Sequence, residues 1–355
     1  MDLALRIVSV VVGITLITAA LISAVKTVVI PRQATSTITR AVFTGLRRLY
    51  DLVTPASMPF ERRDRVLATY APLGMLSLLV TWIALTFLGY AALFWGLDGA
   101  TSGSVALELS GSSLFTLGFV RPSQFWLMMV SFTEAGLGLF LVALLITYLP
   151  SINTAFSRRE RGVTALAVRA GEPPSGVEMV QRFWRLERMS ELHEVWVEWE
   201  RWFVDVEETH ASFSALAFFR SPQTDHSWVT AAGAVLDGAA LTISSIDVPH
   251  DVQADICIRA GYLSLRRIAG GFGIAFDAQP AADAPISIMR QEWEDAMDDL
   301  ASAGVPIKPD RDEAWRDFAG WRVNYDVVLL ELADLTDAPY AMWSSDRGVL
   351  RTRPS

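Results

Sequence analysis

Three stretches in the N-terminal half are too long, too apolar and too free of charge for an ordinary water-soluble fold. Ile7 to Val25 carries no charged residue. Nor does Val66 to Leu97, whose strongest part runs from Leu73 to Trp95. Gln124 to Phe156 is interrupted only by Glu134. A helix of roughly 20 apolar residues crosses the hydrocarbon core of a bilayer, so each stretch predicts a transmembrane helix. The first is long enough to span and lacks the basic flank and small-residue cleavage site of a secretory signal, so no cleaved targeting peptide is expected.

Charge divides the chain at the same place. Residues 1–161 hold 13 Lys or Arg against 8 Asp or Glu, and residues 162–355 hold 17 against 31. A basic apolar half followed by an acidic half predicts a membrane part and a water-exposed part. The acidic surface argues against nucleic-acid binding, which needs positive charge to offset phosphate. Arg outnumbers Lys 28 to 2, a bias of GC-rich, bacterial genomes. The single cysteine, Cys257, excludes a disulfide framework and any multi-cysteine metal centre, and predicts a buried free thiol.

Between the first two spans lie Arg32, Arg40, Arg47, Arg48, Arg62, Arg63 and Arg65, and directly after the third lie Arg158, Arg159 and Arg161. The positive-inside tendency places both groups in the cytoplasm. The N-terminus is then outside, and residues 158–355 form a cytoplasmic domain of a plasma-membrane protein. Ile38, Val42, Phe43, Leu46, Leu49, Tyr50 and Val53 make one apolar face of a helix over 37–53, with arginines opposite. Such a helix is expected to lie on the inner membrane surface, against lipid.

Between the second and third spans the chain reads Leu107-Glu108-Leu109-Ser110-Gly111-Ser112-Ser113-Leu114-Phe115-Thr116-Leu117-Gly118-Phe119-Val120. It is too short to cross a bilayer and too apolar for an exposed loop, so it predicts a re-entrant segment. Irregular backbone at membrane depth is tolerated only where protein or a water-filled cavity surrounds it. Thr116-Leu117-Gly118-Phe119 resembles the Thr-Val-Gly-Tyr filter of the potassium-channel family, placed as in that family between an outer and an inner helix. The resemblance implies a homotetramer in which backbone carbonyls of Thr116, Leu117, Gly118, Phe119 and Val120 replace the hydration shell of a permeant monovalent cation, of potassium type. It further implies that Leu117 packs behind the filter, that Gly118 supplies the unusual backbone turn and that Phe119 braces the filter. The family has glycine where this chain has Val120. A β-branched residue does not reach positive φ cheaply, so the outermost ion site is expected to be reshaped or absent, and cation permeation to be less selective for potassium.

The resemblance also makes the third span an inner helix. A charge inside a membrane span is costly and usually functional. Glu134 is therefore expected to brace the filter or face the cavity, or to hydrogen-bond Ser131 or water. Arg121 is a candidate partner for Glu108. Gly136 is a hinge candidate and Gly138 a packing contact, while Tyr148 and Pro150 belong to a candidate gate at Thr147-Tyr148-Leu149-Pro150, with Pro150 expected to bend or break the helix.

The second half predicts an all-α domain of five to seven helices. Ser175 with Glu178 and Asp310 with Glu313 have capping-box spacing, and Leu192, Val195, Trp199, Trp202, Phe203 and Val206 share one helical face. Helices are expected around 228–246, 251–269, 286–303 (ended by Gly304) and 311–335. Gly270-Gly271-Phe272-Gly273 lacks the Lys-Ser/Thr and preceding strand of a phosphate loop and is read as a helix terminator. His193, His210, His226 and His250 lack metal-binding helical spacing and are read as structural. No catalytic constellation stands out, so no enzyme activity and no cofactor beyond the permeant cation are expected.

The expectation is thus an all-α membrane protein with three transmembrane helices, a re-entrant pore loop and a cytoplasmic helical bundle. It divides into an N-terminal helix (1–30), a basic linker (31–65), a pore domain (66–157) and a cytoplasmic domain (158–355). Function is expected to be cation conduction by a homotetramer. The alternative is a non-conducting scaffold or sensor that recruits a partner through residues 158–355.

Overall fold

The computed structural model describes residues 3–30, 36–55, 57–98 and 102–347. Among the described residues there are helices and turns but no strands, apart from one isolated bridge between Ile246 and Ile307. In chain order the helices of the first part are α1 (Leu3–Val28), α2 (Thr37–Val53), α3 (Phe60–Leu67), α4 (Tyr70–Leu97), α5 (Gly103–Leu114) and α6 (Phe125–Ala170). Three helical stretches are long and apolar enough to cross a membrane: Leu3–Val28, Phe60–Leu97 and Phe125–Ala170. This marks the chain as membrane-embedded.

The chain forms two compact units, Met1–Met58 with Val66–Thr154, and Pro59–Arg65 with Ala155–Ser355. The linker expected over 31–65 is thus divided: α2 packs with the apolar helices, and 59–65 belongs to the second unit. The reason is a pair of ionic contacts, Arg220 with Asp64 and Arg63 with Asp337.

In the first unit α1 and α4 approach closely because small residues line their seam. A Cβ on Gly13 would lie 2.6 Å from the Gly89 carbonyl oxygen, so only glycine permits this approach, as is common between helices in lipid. Hydrogen bonds reinforce it. Arg6 donates to the carbonyls of Gly96 and Leu97 at the end of α4 (3.0 and 2.9 Å), and Ser9 to that of Ala92 (2.7 Å). The amphipathic helix α2 has the expected bounds. Ser36 caps its N-terminus, the Ser36 and Ser23 hydroxyls lie 2.6 Å apart, and Trp82 of α4 donates to Ser23 (2.9 Å).

The second unit adds α7 (Gly176–Arg185), α8 (Leu192–Ser212), α9 (Trp228–Ser244), α10 (Val252–Gly271), α11 (Arg290–Ser302), α12 (Arg311–Arg322) and α13 (Asp326–Leu335). Every residue of α9 is buried. A helix that is apolar all round belongs at the centre, and α7, α10, α12 and α13 pack on it. The tryptophan face of α8 is core: Trp196, Trp199, Trp202 and Phe203 are buried together. Cys257 is a free, buried thiol, and burial pushes its pKa up.

Three expectations need correction. Ser175 precedes α7 without a side-chain cap; its amide donates to the Ala170 carbonyl (2.9 Å), and the Glu178 carboxylate accepts from Arg182 (2.8 Å). The helix expected over 311–335 is two helices, broken at Val323–Tyr325. Pro150 does not end the third span, which continues to Ala170. Pro150 has no N–H for the Ile146 carbonyl, yet the helix runs on; beside it the Ser151 hydroxyl donates to the Thr147 carbonyl and the Thr154 hydroxyl to that of Pro150.

Buried charge in the second unit centres on Arg322. It donates to Asp237 (2.6 Å), to Asp326 (2.7 Å) and to the Trp343 carbonyl. Tyr325 donates to Asp237 as well (2.9 Å). Desolvation pushes the Asp237 pKa up against the opposing pull of Arg322.

His210, also buried, stacks near Trp228 with its Nδ1 2.8 Å from the Val206 carbonyl oxygen. Burial, assisted by the nearby Arg159 guanidinium, pushes its pKa down to about 3. In the unfolded chain a histidine takes up its proton near pH ~6.5. Between these values the unfolded state binds the extra proton, so stability is full above about pH 6.5 and falls as the pH is lowered, at most by about 1.4 kcal/mol per pH unit. Replacing His210 with Leu is expected to flatten this acid limb in melts of the full chain between pH 7 and 4; an unchanged limb would show that another group causes it.

Candidate functional site

The segment between α4 and α6 begins with Ser102, whose hydroxyl accepts from the Val105 amide and caps α5. Ala106 and Leu109 turn one face of α5 into a cluster with Tyr90 and Phe94 of α4 and Leu127 of α6. The helix then closes with Phe115 N donating to the Gly111 carbonyl and Thr116 N to that of Ser113.

Past the helix the backbone folds back, and Ser112 holds it. The Ser112 carbonyl accepts from the amides of Leu117 (2.9 Å) and Gly118 (3.3 Å). Its hydroxyl accepts from Val120 N (3.1 Å) and donates to Val120 O (3.0 Å). In a trans peptide the N–H and C=O point in opposite directions. With the Leu117 and Gly118 amides turned toward α5, the carbonyls of Thr116 and Leu117 are turned away from it. Gly118 has φ +69° and Thr116 φ +56°. The first is cheap for glycine; the second is an outlier for a β-branched residue, costing about 1–2 kcal/mol.

Val120 is not at positive φ, so the penalty foreseen for valine in a glycine position does not arise. Its side chain packs against the Tyr90–Phe94–Leu127 cluster while Ser112 holds both its backbone groups. Val120 is an anchor of the loop, and its carbonyl is already engaged.

Glu134 is fully buried. Its partner is Ser110 of α5, where sequence spacing suggests Ser131; the Ser131 hydroxyl bonds instead within α6, to Leu127. The Ser110 oxygen lies 2.5 Å from Glu134 Oε1 and 2.8 Å from the Phe87 carbonyl oxygen. A serine hydroxyl has one proton to give. Both contacts are satisfied when Glu134 is the neutral acid, donating to Ser110, which donates to Phe87. One chain of hydrogen bonds then ties α6, α5 and α4 together.

The expected bridge between Glu108 and Arg121 is not formed; both side chains are exposed and no ion pair joins them. Gly138 is a packing contact, since a Cβ there would lie 2.7 Å from the Leu114 carbonyl oxygen, whereas Gly136 has open space around it. Within one chain Tyr148 is buried while Thr147, Leu149 and Pro150 are exposed. Phe115, Leu117 and Phe119 are 56%, 64% and 66% exposed. The packing expected behind Leu117 and Phe119 is absent within a single chain.

Ser110 and Ser112 are the residues sequence reasoning missed. The signal was present for Ser110, which falls four residues after Ala106 on the buried face of α5; a polar group there needs a partner. Ser112 is recognisable only from the path of the loop. No family model, curated protein or solved structure matches the chain.

The hydrogen-bond chain predicts how Glu134 tolerates change. Glu134→Gln keeps a donor toward Ser110 and is expected to melt in detergent close to the unmodified protein. Glu134→Ala leaves a buried hydroxyl short of a partner and should cost about 1–3 kcal/mol. Equal destabilisation by both would mean that the carboxylate charge itself is required.

Proposed function

We propose that this protein is a homotetrameric, potassium-channel-like cation channel in which four copies of the loop Thr116–Val120 surround the ion path. The observation that carries the reading is the loop itself: a short helix between two long apolar helices, followed by backbone whose Thr116 and Leu117 carbonyls turn away from that helix. Such carbonyls are the chemistry that replaces a cation's water. Phe115, Leu117 and Phe119, in and beside the loop, are exposed in a single chain. In a tetramer the neighbouring copy would cover them, and the segment would become re-entrant, shielded from lipid on every side. In this reading Glu134 and Ser112 set the loop's position, and neither touches the ion.

The orientation proposed from charge, with the acidic second unit in the cytoplasm, keeps its support from Arg40, Arg47 and Arg48 on α2. Arg159 adds less to it, since its guanidinium is buried and donates to the carbonyls of Leu216 and Phe219. In this reading the second unit assembles or gates the pore as a cytoplasmic helical bundle.

One observation favours the alternative, a non-conducting scaffold: Ser112 engages the Val120 carbonyl, so each loop offers fewer free carbonyls to an ion. Flux separates the two. In proteoliposomes the channel reading predicts potassium or rubidium uptake that Gly118→Asp abolishes, since glycine alone suits φ +69° cheaply and a carboxylate would add charge beside the path. No uptake at any voltage or pH would favour the scaffold.

A further inference from the structure

Two carboxylates and an imidazole converge in the second unit, between the end of α6 and the start of α9. Glu172 lies in the turn after α6, and Asp225 and His226 lie just before the cap of α9; their side-chain ligand atoms are all within 4.8 Å of one another. We propose that Glu172, Asp225 and His226 bind a divalent metal ion of the zinc type, with a fourth position open to water or a small ligand.

The spacing fits such an ion. Bonds of about 2.0–2.1 Å in tetrahedral geometry leave ligand atoms roughly 3.3 Å apart. His226 Nε2 and Glu172 Oε1 are 3.3 Å apart. A charge-assisted hydrogen bond would be closer, at about 2.7–2.9 Å. The electrostatics point the same way. Two acids stand together, and no lysine or arginine among the described residues forms an ion pair with either; the His226 imidazole is the nitrogen partner of Glu172.

His226 supplies the independent observation. The residue is only 7% exposed, and its Nε2 faces the Glu172 carboxylate. In the neutral tautomer with the proton on Nδ1, the Nε2 lone pair faces the lone pairs of that carboxylate, and a cation between them turns the repulsion into two bonds. The imidazole is also well placed to be a fixed ligand. Its backbone amide bonds to the Gln223 carbonyl, and Ser227 next to it caps the fully buried α9. Glu172 and Asp225 are exposed, free to adjust their rotamers around an ion seated on the imidazole. One nitrogen and two carboxylates suit zinc; calcium takes about 6–8 oxygens and magnesium near-octahedral oxygen coordination. A bound ion would link the turn that follows α6 to the segment that leads into the core helix. This inference does not depend on whether the protein conducts ions.

The test is equilibrium dialysis of the tag-free full chain in detergent, stripped with chelator, against zinc, with calcium and magnesium in parallel. Saturable binding of about one zinc per chain is expected, together with visible absorption of the tetrahedral type when cobalt replaces zinc. Asp225→Asn and Glu172→Gln, both at exposed positions, are each expected to weaken zinc binding at least tenfold with an unchanged circular dichroism spectrum, and His226→Asn to abolish the cobalt signal. Absence of saturable zinc binding, binding that both carboxylate variants leave untouched, or a preference for calcium over zinc would each overturn the proposal.

Discussion

A loop that leaves a helix and enters no other regular structure must still find partners for its backbone groups, and in this protein Ser112 provides most of them. Its carbonyl takes two amides and its hydroxyl takes both backbone groups of Val120. That single residue fixes the peptide planes of Leu117 and Gly118, and so the direction in which the Thr116 and Leu117 carbonyls point. In water such a loop could borrow hydrogen bonds from solvent. At membrane depth, where the proposed channel would hold it, each unsatisfied group would cost several kcal/mol, and the contacts to Ser112 would weigh more.

The scaffold behind the loop depends on a second serine. Ser110 stands between Glu134 on α6 and the Phe87 carbonyl on α4, so the short helix is clamped on both sides by polar contacts within an apolar cluster. Gly138 brings α6 up against the last carbonyl of α5. Val120, read from sequence as a departure that would damage the outermost ion position, serves as an apolar peg into the same cluster. The departure relocates a backbone anchor; it adds no positive-φ strain at that residue, although Thr116 carries some.

Much of the fold was legible because apolar length and helical period are local signals. The three long apolar runs and the bounds of α2 at Thr37 and Val53 were readable in this way, as was the terminating role of Gly304 with φ +86°. What could not be read was set by contacts distant in sequence. Pro150 lies inside α6 without ending it. Residues 59–65 leave the linker because Arg220 and Asp337 hold them. The histidines were judged by helical spacing, which misses His226 because its companions Glu172 and Asp225 come from two loops. In the candidate site, Thr116 to Phe119 were visible as a pattern, but Ser110 and Ser112 were hidden, since serine is common and its value there comes from what it faces.

The central claim is that the loop works as one of four around an axis, which would also cover Phe115, Leu117 and Phe119. Counting subunits in a lipid nanodisc or mild detergent, by native mass measurement of the full chain, tests this most directly. The account predicts four copies per particle. A particle of one or two copies would leave the loop without an axis to surround and would contradict it.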